Sequence, residues 1–154
     1  MPPAPYVAVV GPGEASREEC DAAERVGRDL AQAGAVLVCG GLGGVMAAAC
    51  RGASGAGGMT IGILPGTDRT AANQWARVVI PTGMGEMRNV LVVRAADGVV
   101  AVGGAYGTLS EIALALKTGV PVVGIDTWPI DGIVGAASPA DAVSTVLALA
   151  TSGS

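Results

Sequence analysis

The chain contains no histidine. Ser-His-Asp and Cys-His catalysis both need an imidazole to take and return a proton, so neither can operate here. Any chemistry falls to carboxylate, arginine, hydroxyl or backbone groups. Cysteine is scarce and odd in number, with Cys20, Cys39 and Cys50 in no CxxC spacing, so neither a disulfide framework nor a zinc site can be read. The three are expected to be small buried apolar residues, and no metal is expected. Basic charge is thin too: Lys117 is the one lysine among nine basic residues, and the net charge is -4. Without a basic face, nucleic acid is not expected as a partner. The uncharged run over residues 30–50 is long enough to raise a membrane span, but CGGLGG in its middle does not suit a lipid-exposed helix. The start, MPPAPY, carries no basic segment followed by an apolar core, so no secretory signal is expected and the expected location is cytoplasmic.

What the chain does have is apolar and small: 51% hydrophobic residues and 25 glycines in 154 residues, with 14% charged. That suits one compact domain over residues 1–154, burying roughly 70% of its unfolded surface. A short apolar run, a glycine or proline break and a helix-like segment recur along it. The runs at 6–10, 35–39, 60–64, 77–80, 98–102 and 120–125 read as strands. Helices are expected from the capping box Ser16–Glu19 to about Ala33, then over 45–52, 85–96 and 108–118, with a last one opening at Ser138-Pro139. Residues 65–76 read as a polar loop. Uniformly apolar strands separated by helices imply an α/β, Rossmann-like, doubly wound parallel sheet in three layers, α/β/α.

In such sheets ligands bind beyond the carboxyl ends of the strands, and four glycine-bearing breaks fall at that edge. They hold Gly11 and Gly13; Gly40, Gly41 and Gly43; the Pro65-Gly66 turn; and Gly103, Gly104, Ala105, Tyr106, Gly107 and Thr108. Glycine lets a backbone approach an anion, and a helix start supplies free N–H groups. No Walker A sequence occurs, and no G-x-G-x-x-G is followed by an acidic residue at the next strand end. Thr108 and Glu111 stand at capping-box spacing, so two readings remain: they cap a helix, or they face a ligand. Arg88 could pair with Glu86 or Glu111 at the surface, but a helix this apolar has little reason to carry an arginine inward unless an anion awaits it. Asp97 reads as structural, Arg94 as a subunit contact or surface pair, and Trp75 as a lid over a ring or a cover for the core.

The segment GEMRNVLVVRAADGVVAVGGAYGTLSEIA, residues 85–113, resembles the Lonely Guy (LOG) family and its relatives, formerly called lysine decarboxylases, which include the molybdenum-cofactor carrier proteins. The family pattern is an arginine-bearing helix, an aspartate before a strand and a PGGxGTxxE loop; it falls on Arg88, Asp97 and residues 103–111 without a gap. GGLGGVMAAACRGA, residues 40–53, and IGILPG, residues 61–66, are similar to further family stretches. Gly103 stands in place of the family's proline, Ala105 in place of its second glycine, and Asn89 in place of a lysine. Arg-Asn resembles the carrier branch, which often has an acidic residue where this chain has Ala47.

The resemblance implies a binding or carrier protein for a phosphorylated, nucleotide-like ligand, either a nucleoside monophosphate or a molybdopterin-type cofactor. The alternative it implies is a nucleoside 5'-monophosphate phosphoribohydrolase that cleaves the N-glycosidic bond, with Arg88 and Glu111 as catalytic residues. Glycosidic cleavage usually also needs help for the leaving base, and neither a histidine nor a second carboxylate near the motif supplies it, so binding ranks first. A structural or DNA-associated Rossmann module is disfavoured by the acidic balance. Met87, Val90, Leu91, Val92 and Val93 spread over more than one helical face, and together with the resemblance they point to a homodimer or higher homo-oligomer.

Overall fold

Strands of Val, Ile and Ala with few charges can only be satisfied between two layers of helix, and the chain builds that arrangement. A computed structural model of the chain describes residues 2–152. In order, the elements are β1 (Tyr6–Val10), α1 (Arg17–Gln32), β2 (Val36–Cys39), α2 (Val45–Gly55), β3 (Thr60–Leu64), a 3-10 turn (Arg69–Ala71), β4 (Val78–Pro81), a second 3-10 turn (Gly85–Met87), α3 (Arg88–Arg94), β5 (Gly98–Val102), α4 (Tyr106–Lys117), β6 (Val122–Ile125), β7 (Val134–Gly135) and α5 (Pro139–Ser152). The strands form one sheet in the order β4-β3-β2-β1-β5-β6-β7. Every described pair is parallel. This is a Rossmann-like α/β fold.

Alternation along the central strands feeds two cores. Val7 and Val9 of β1 pack with α1, α2 and α5 on one face, while Ala8 and Val10 pack with α3 and α4 on the other. The register Val9 opposite Val100 and Val10 opposite Ala101 sets β1 against β5. Ser16 Oγ accepts from Glu19 N at 3.1 Å and Glu19 Oε1 accepts from Ser16 N at 2.8 Å, the reciprocal cap expected at the start of α1. Ser138 Oγ likewise accepts from Asp141 N at 3.1 Å at the start of α5.

The structure departs from the sequence expectation in four places. The helix expected over 85–96 is instead a 3-10 turn, entered at Gly85 with φ 61, followed by the short α3 that ends at Arg94. The helix expected from Thr108 begins two residues earlier, at Tyr106. β6 begins at Val122 because Pro121 has no N–H to give the ladder. β7, two residues long, carries too little pattern to be read in advance. Cys39 and Cys50 are buried free thiols with their sulfurs 3.4 Å apart, whereas Cys20 is only half-buried. Among the described residues, no helix is long and apolar enough to cross a membrane.

α1 and α2 meet backbone to backbone. A Cβ at Gly27 would lie 2.0 Å from Ala49 O, and one at Gly52 would lie 1.9 Å from Glu24 O. Glycine to alanine inside a helix ordinarily stabilises by about 0.5–1 kcal/mol, but here the methyl has no room, and overpacking costs about 1–3 kcal/mol. Gly27→Ala is therefore expected to lower the urea midpoint; an unchanged or raised midpoint would show that the two helices separate freely.

Candidate functional site

From β1 the chain works outward through β2 and β3 to β4, and from β5 it works outward in the opposite direction to β7. Connections that leave neighbouring strands in opposite directions open a crevice between their carboxyl ends, the usual ligand position in open α/β sheets. At that point lies a cavity of about 200 Å³. Gly11 and Gly13 reach it from β1, Gly40 from β2, Arg88 from α3, and Ala105, Gly107, Thr108 and Glu111 from the turn after β5 and from α4. Eight of the residues singled out from sequence thus converge on its lining.

The others sit beside the crevice rather than on its lining. Gly41 packs against Leu64 and Gly62, Gly43 lies near the carbonyl of Gly13, Gly103 abuts the Glu19 carboxylate and Gly104 abuts Trp128. Gly103 makes the turn at φ 70, a left-handed conformation that favours glycine, with the Glu19 carboxylate close against it. Tyr106 is 85% exposed and turned away.

The capping reading of Thr108 and Glu111 does not hold. α4 starts at Tyr106 with Ala105 as N-cap and no side-chain cap bond, so Thr108 is its third residue and Glu111 its sixth. Thr108 is 2% exposed, and its Oγ1 is buried without a hydrogen-bond partner. Glu111 is 7% exposed and makes no hydrogen bond among the described residues. Burial pushes its carboxyl up to about 7, against the pull of the Arg88 guanidinium, so near neutral pH it holds its proton about half the time. With no side-chain cap, the first-turn N–H groups of α4 carry the positive end of the helix dipole toward the crevice.

Arg88 is not paired with Glu86 or Glu111; none of the ion pairs among the described residues includes it. Its Nε donates to Ile63 O at 2.9 Å, one Nη to Gly40 O at 3.4 Å and the other to Asn89 Oδ1. Carbonyl oxygens hold the guanidinium without neutralising it, so a cation stands at the crevice wall. A Cβ at Gly40 would lie 2.5 Å from Arg88 Nη2, so the glycine leaves the guanidinium room to lie against the β2 end.

Asn89 and Met46 also line the crevice. Asn89 is a buried amide whose Nδ2 donates to Ser110 Oγ at 3.3 Å, and the signal for it was one polar residue inside the apolar run NVLVV. Asp97 is structural, its Oδ2 accepting from Tyr6 N at 2.9 Å. Trp75 does not line the crevice: it packs on the core with the Arg51 guanidinium 5.7 Å from its ring centre, so the lid reading gives way to the cover reading. Wider depressions of about 440 Å³ beside Trp75 and about 420 Å³ beside Met87 and Tyr106 lack the unpartnered polar groups and the switch-point position that mark the smaller cavity. Among the described residues, no group of three or more Cys, Asp or Glu side chains could hold a metal ion.

Known proteins are similar to this chain in sequence and in fold. An uncharacterized protein from Archaeoglobus fulgidus is 47% identical over 113 residues, 73% of this chain and 74% of that one. The molybdenum cofactor binding protein of the phototrophic bacterium Rippkaea orientalis superposes with a TM-score of 0.91 at 34% identity, covering 96% of this chain and 98% of its own. The molybdenum cofactor (Moco) carrier protein of Chlamydomonas reinhardtii does so with a TM-score of 0.89 at 34% identity, covering 97% and 99%. These neighbours agree with the LOG-like resemblance and its carrier branch. Residues 4–150 match the model of the SLOG cluster4 family, and the chain belongs to that family.

Proposed function

We propose that the crevice between β1 and β5 holds the phosphate end of a small nucleotide-like ligand, and that the chain is a binding or carrier protein for it. The cargo is a nucleoside monophosphate or a molybdopterin-type cofactor. The observation that carries this reading is the buried, unpartnered Thr108 hydroxyl at the uncapped start of α4. An unmet buried donor costs about 1–3 kcal/mol, which a ligand oxygen would recover. Arg88 supplies charge, and the first-turn amides supply donors. The residues present fit the phosphate end of either cargo. A volume of about 200 Å³ takes a phosphate and its neighbouring sugar or methylene, so the ring system extends past the exposed Gly13 and Gly107. The likeness to a molybdenum cofactor binding protein and to a Moco carrier protein supports the carrier role.

One observation favours a second reading. A carboxyl near pKa 7 beside Arg88 is suited to proton transfer, as glycosidic hydrolysis of a nucleoside 5'-monophosphate by Glu111 and Arg88 would need. We further propose that the chain forms a homodimer over the face carrying Met87, which is 67% exposed, with Arg94 near the contact.

Thr108→Val keeps the shape and removes the hydroxyl. It is expected to leave the thermal midpoint unchanged or raised and to weaken AMP about 5–10-fold in calorimetric titration, the worth of one hydrogen bond. Equal affinity would remove Thr108 from the site, and free adenine accumulating in the same mixture would favour the hydrolase.

Glu111 sets a pH dependence of stability. A carboxyl raised from 4.5 to about 7 on folding is neutral in both states below 4.5; between those values the unfolded chain loses the proton first, so stability falls as pH rises and then levels off. Glu111→Gln lacks this loss, and its stability advantage over the parent is expected to grow from pH 4.5 to 7 toward an upper bound of the order of 3 kcal/mol. Parallel stability curves would show that Glu111 titrates normally.

Light scattering at micromolar concentration is expected to give at least twice the 14.9 kDa of one chain. The mass of a single chain would exclude the dimer.

A further inference from the structure

Trp128 lies outside every motif recognised in the sequence, yet it touches the ligand loop directly. β6 ends at Ile125, and the chain reverses at Asp126, the one non-glycine residue among those described with a positive φ, at 48°. That turn brings the following loop back across the end of β5. Ile130 N donates to Trp128 O at 2.9 Å and Ile133 N to Ile130 O at 3.2 Å, so the loop is internally tied. Trp128, Ile130 and Ile133 pack on the core under α3 and α4. From this support Trp128 Nε1 donates to Ala105 O at 3.0 Å, and the indole stacks on Tyr106 with ring centres 6.1 Å apart. A side chain at Gly104 would meet the indole nitrogen at 3.2 Å, so the glycine admits the contact.

We propose that Trp128 is a positioning residue that fixes the peptide plane at the start of α4 so that its first free amide faces the mouth of the crevice, beside the lining residues Ala105 and Gly107, an inference that rests on the phosphate-site reading above. Ala105 O and Tyr106 N belong to one peptide unit, and in a trans peptide the C=O and N–H point in opposite directions. Ala105 O accepts from two donors, Leu109 N at 2.9 Å inside the helix and Trp128 Nε1 from the side. Two donors hold the peptide plane where the Leu109 bond alone leaves it free to rock. With the carbonyl held toward the helix, the Tyr106 N–H faces outward from its start, where an anion would sit. An uncapped helix start has no side chain of its own to hold this plane, so the indole takes that role from another loop.

The test uses the full chain with inorganic phosphate and AMP as probes. Trp128→Phe keeps a six-membered ring against Tyr106 and removes the N–H donor together with the pyrrole ring; it is expected to weaken both probes about 5-fold, the worth of one hydrogen bond, with Trp75→Phe unchanged as control. In the Trp75→Phe protein the one remaining indole is Trp128, and its emission is expected to shift on saturation with phosphate. If the parent binds and Thr108→Val binds less well, while Trp128→Phe matches the parent within 2-fold, well inside the margin expected for one hydrogen bond, the positioning role is overturned and the site stands. Should Trp128→Phe fold poorly, the emission decides: a spectrum unmoved by saturating phosphate overturns the role. If the parent itself binds neither probe, the phosphate site falls together with it.

Discussion

The parallel pairing of β1 with β5 is the constraint on which the rest depends. Asp97 N donates to Tyr6 O at 2.7 Å while Asp97 Oδ2 accepts from Tyr6 N, so the two strands are clamped at their amino ends before the ladder from Val7 to Val10 begins. The chain reaches β5 only after building β2, β3 and β4 on the far side of β1. The crevice at the opposite, carboxyl ends is therefore a consequence of topology, and the loops after β1, β2 and β5 have no choice but to face one another there.

Two buried hydroxyls among the described residues lack a partner, Thr108 Oγ1 and Thr127 Oγ1, and of the two only Thr108 lines the crevice. A protein that leaves Thr108 Oγ1 buried without a partner and Glu111 in an apolar surrounding gives up stability at that spot. The same region keeps Arg88 on carbonyl oxygens alone. An orphaned hydroxyl, a desolvated carboxyl, an unneutralised guanidinium and an uncapped helix start around one small cavity are the groups on which the proposed phosphate site rests. The likeness in fold to a molybdenum cofactor binding protein and to a Moco carrier protein agrees with the carrier role proposed above.

Much of the fold was legible. The strands at 6–10, 60–64 and 98–102 fall where the apolar runs place them, because a fully buried parallel strand needs nothing but short side chains without charge. The start of α1 was legible from Ser16 and Glu19, since a capping box is a local hydrogen-bond pattern three residues long. The start of α4 was not, because Thr108 and Glu111 keep the same spacing while Ala105, which has no capping side chain, takes the N-cap position. Two identical local patterns thus ended differently: Glu19 is free to turn back to its own helix, whereas Glu111 lies a turn deeper, against Arg88.

What the amino-acid sequence determined by itself was the alternation of strand and helix, the placing of glycines at strand ends and the absence of imidazole chemistry, for these depend on residue type and short spacing. Which of those glycines line the crevice was decided by tertiary structure alone. Arg88 is held by carbonyls 25 and 48 residues away, and Trp128 reaches a carbonyl 23 residues back. Contacts of that range follow from strand order, and strand order is settled by the packing of whole layers, which no local run of residues encodes.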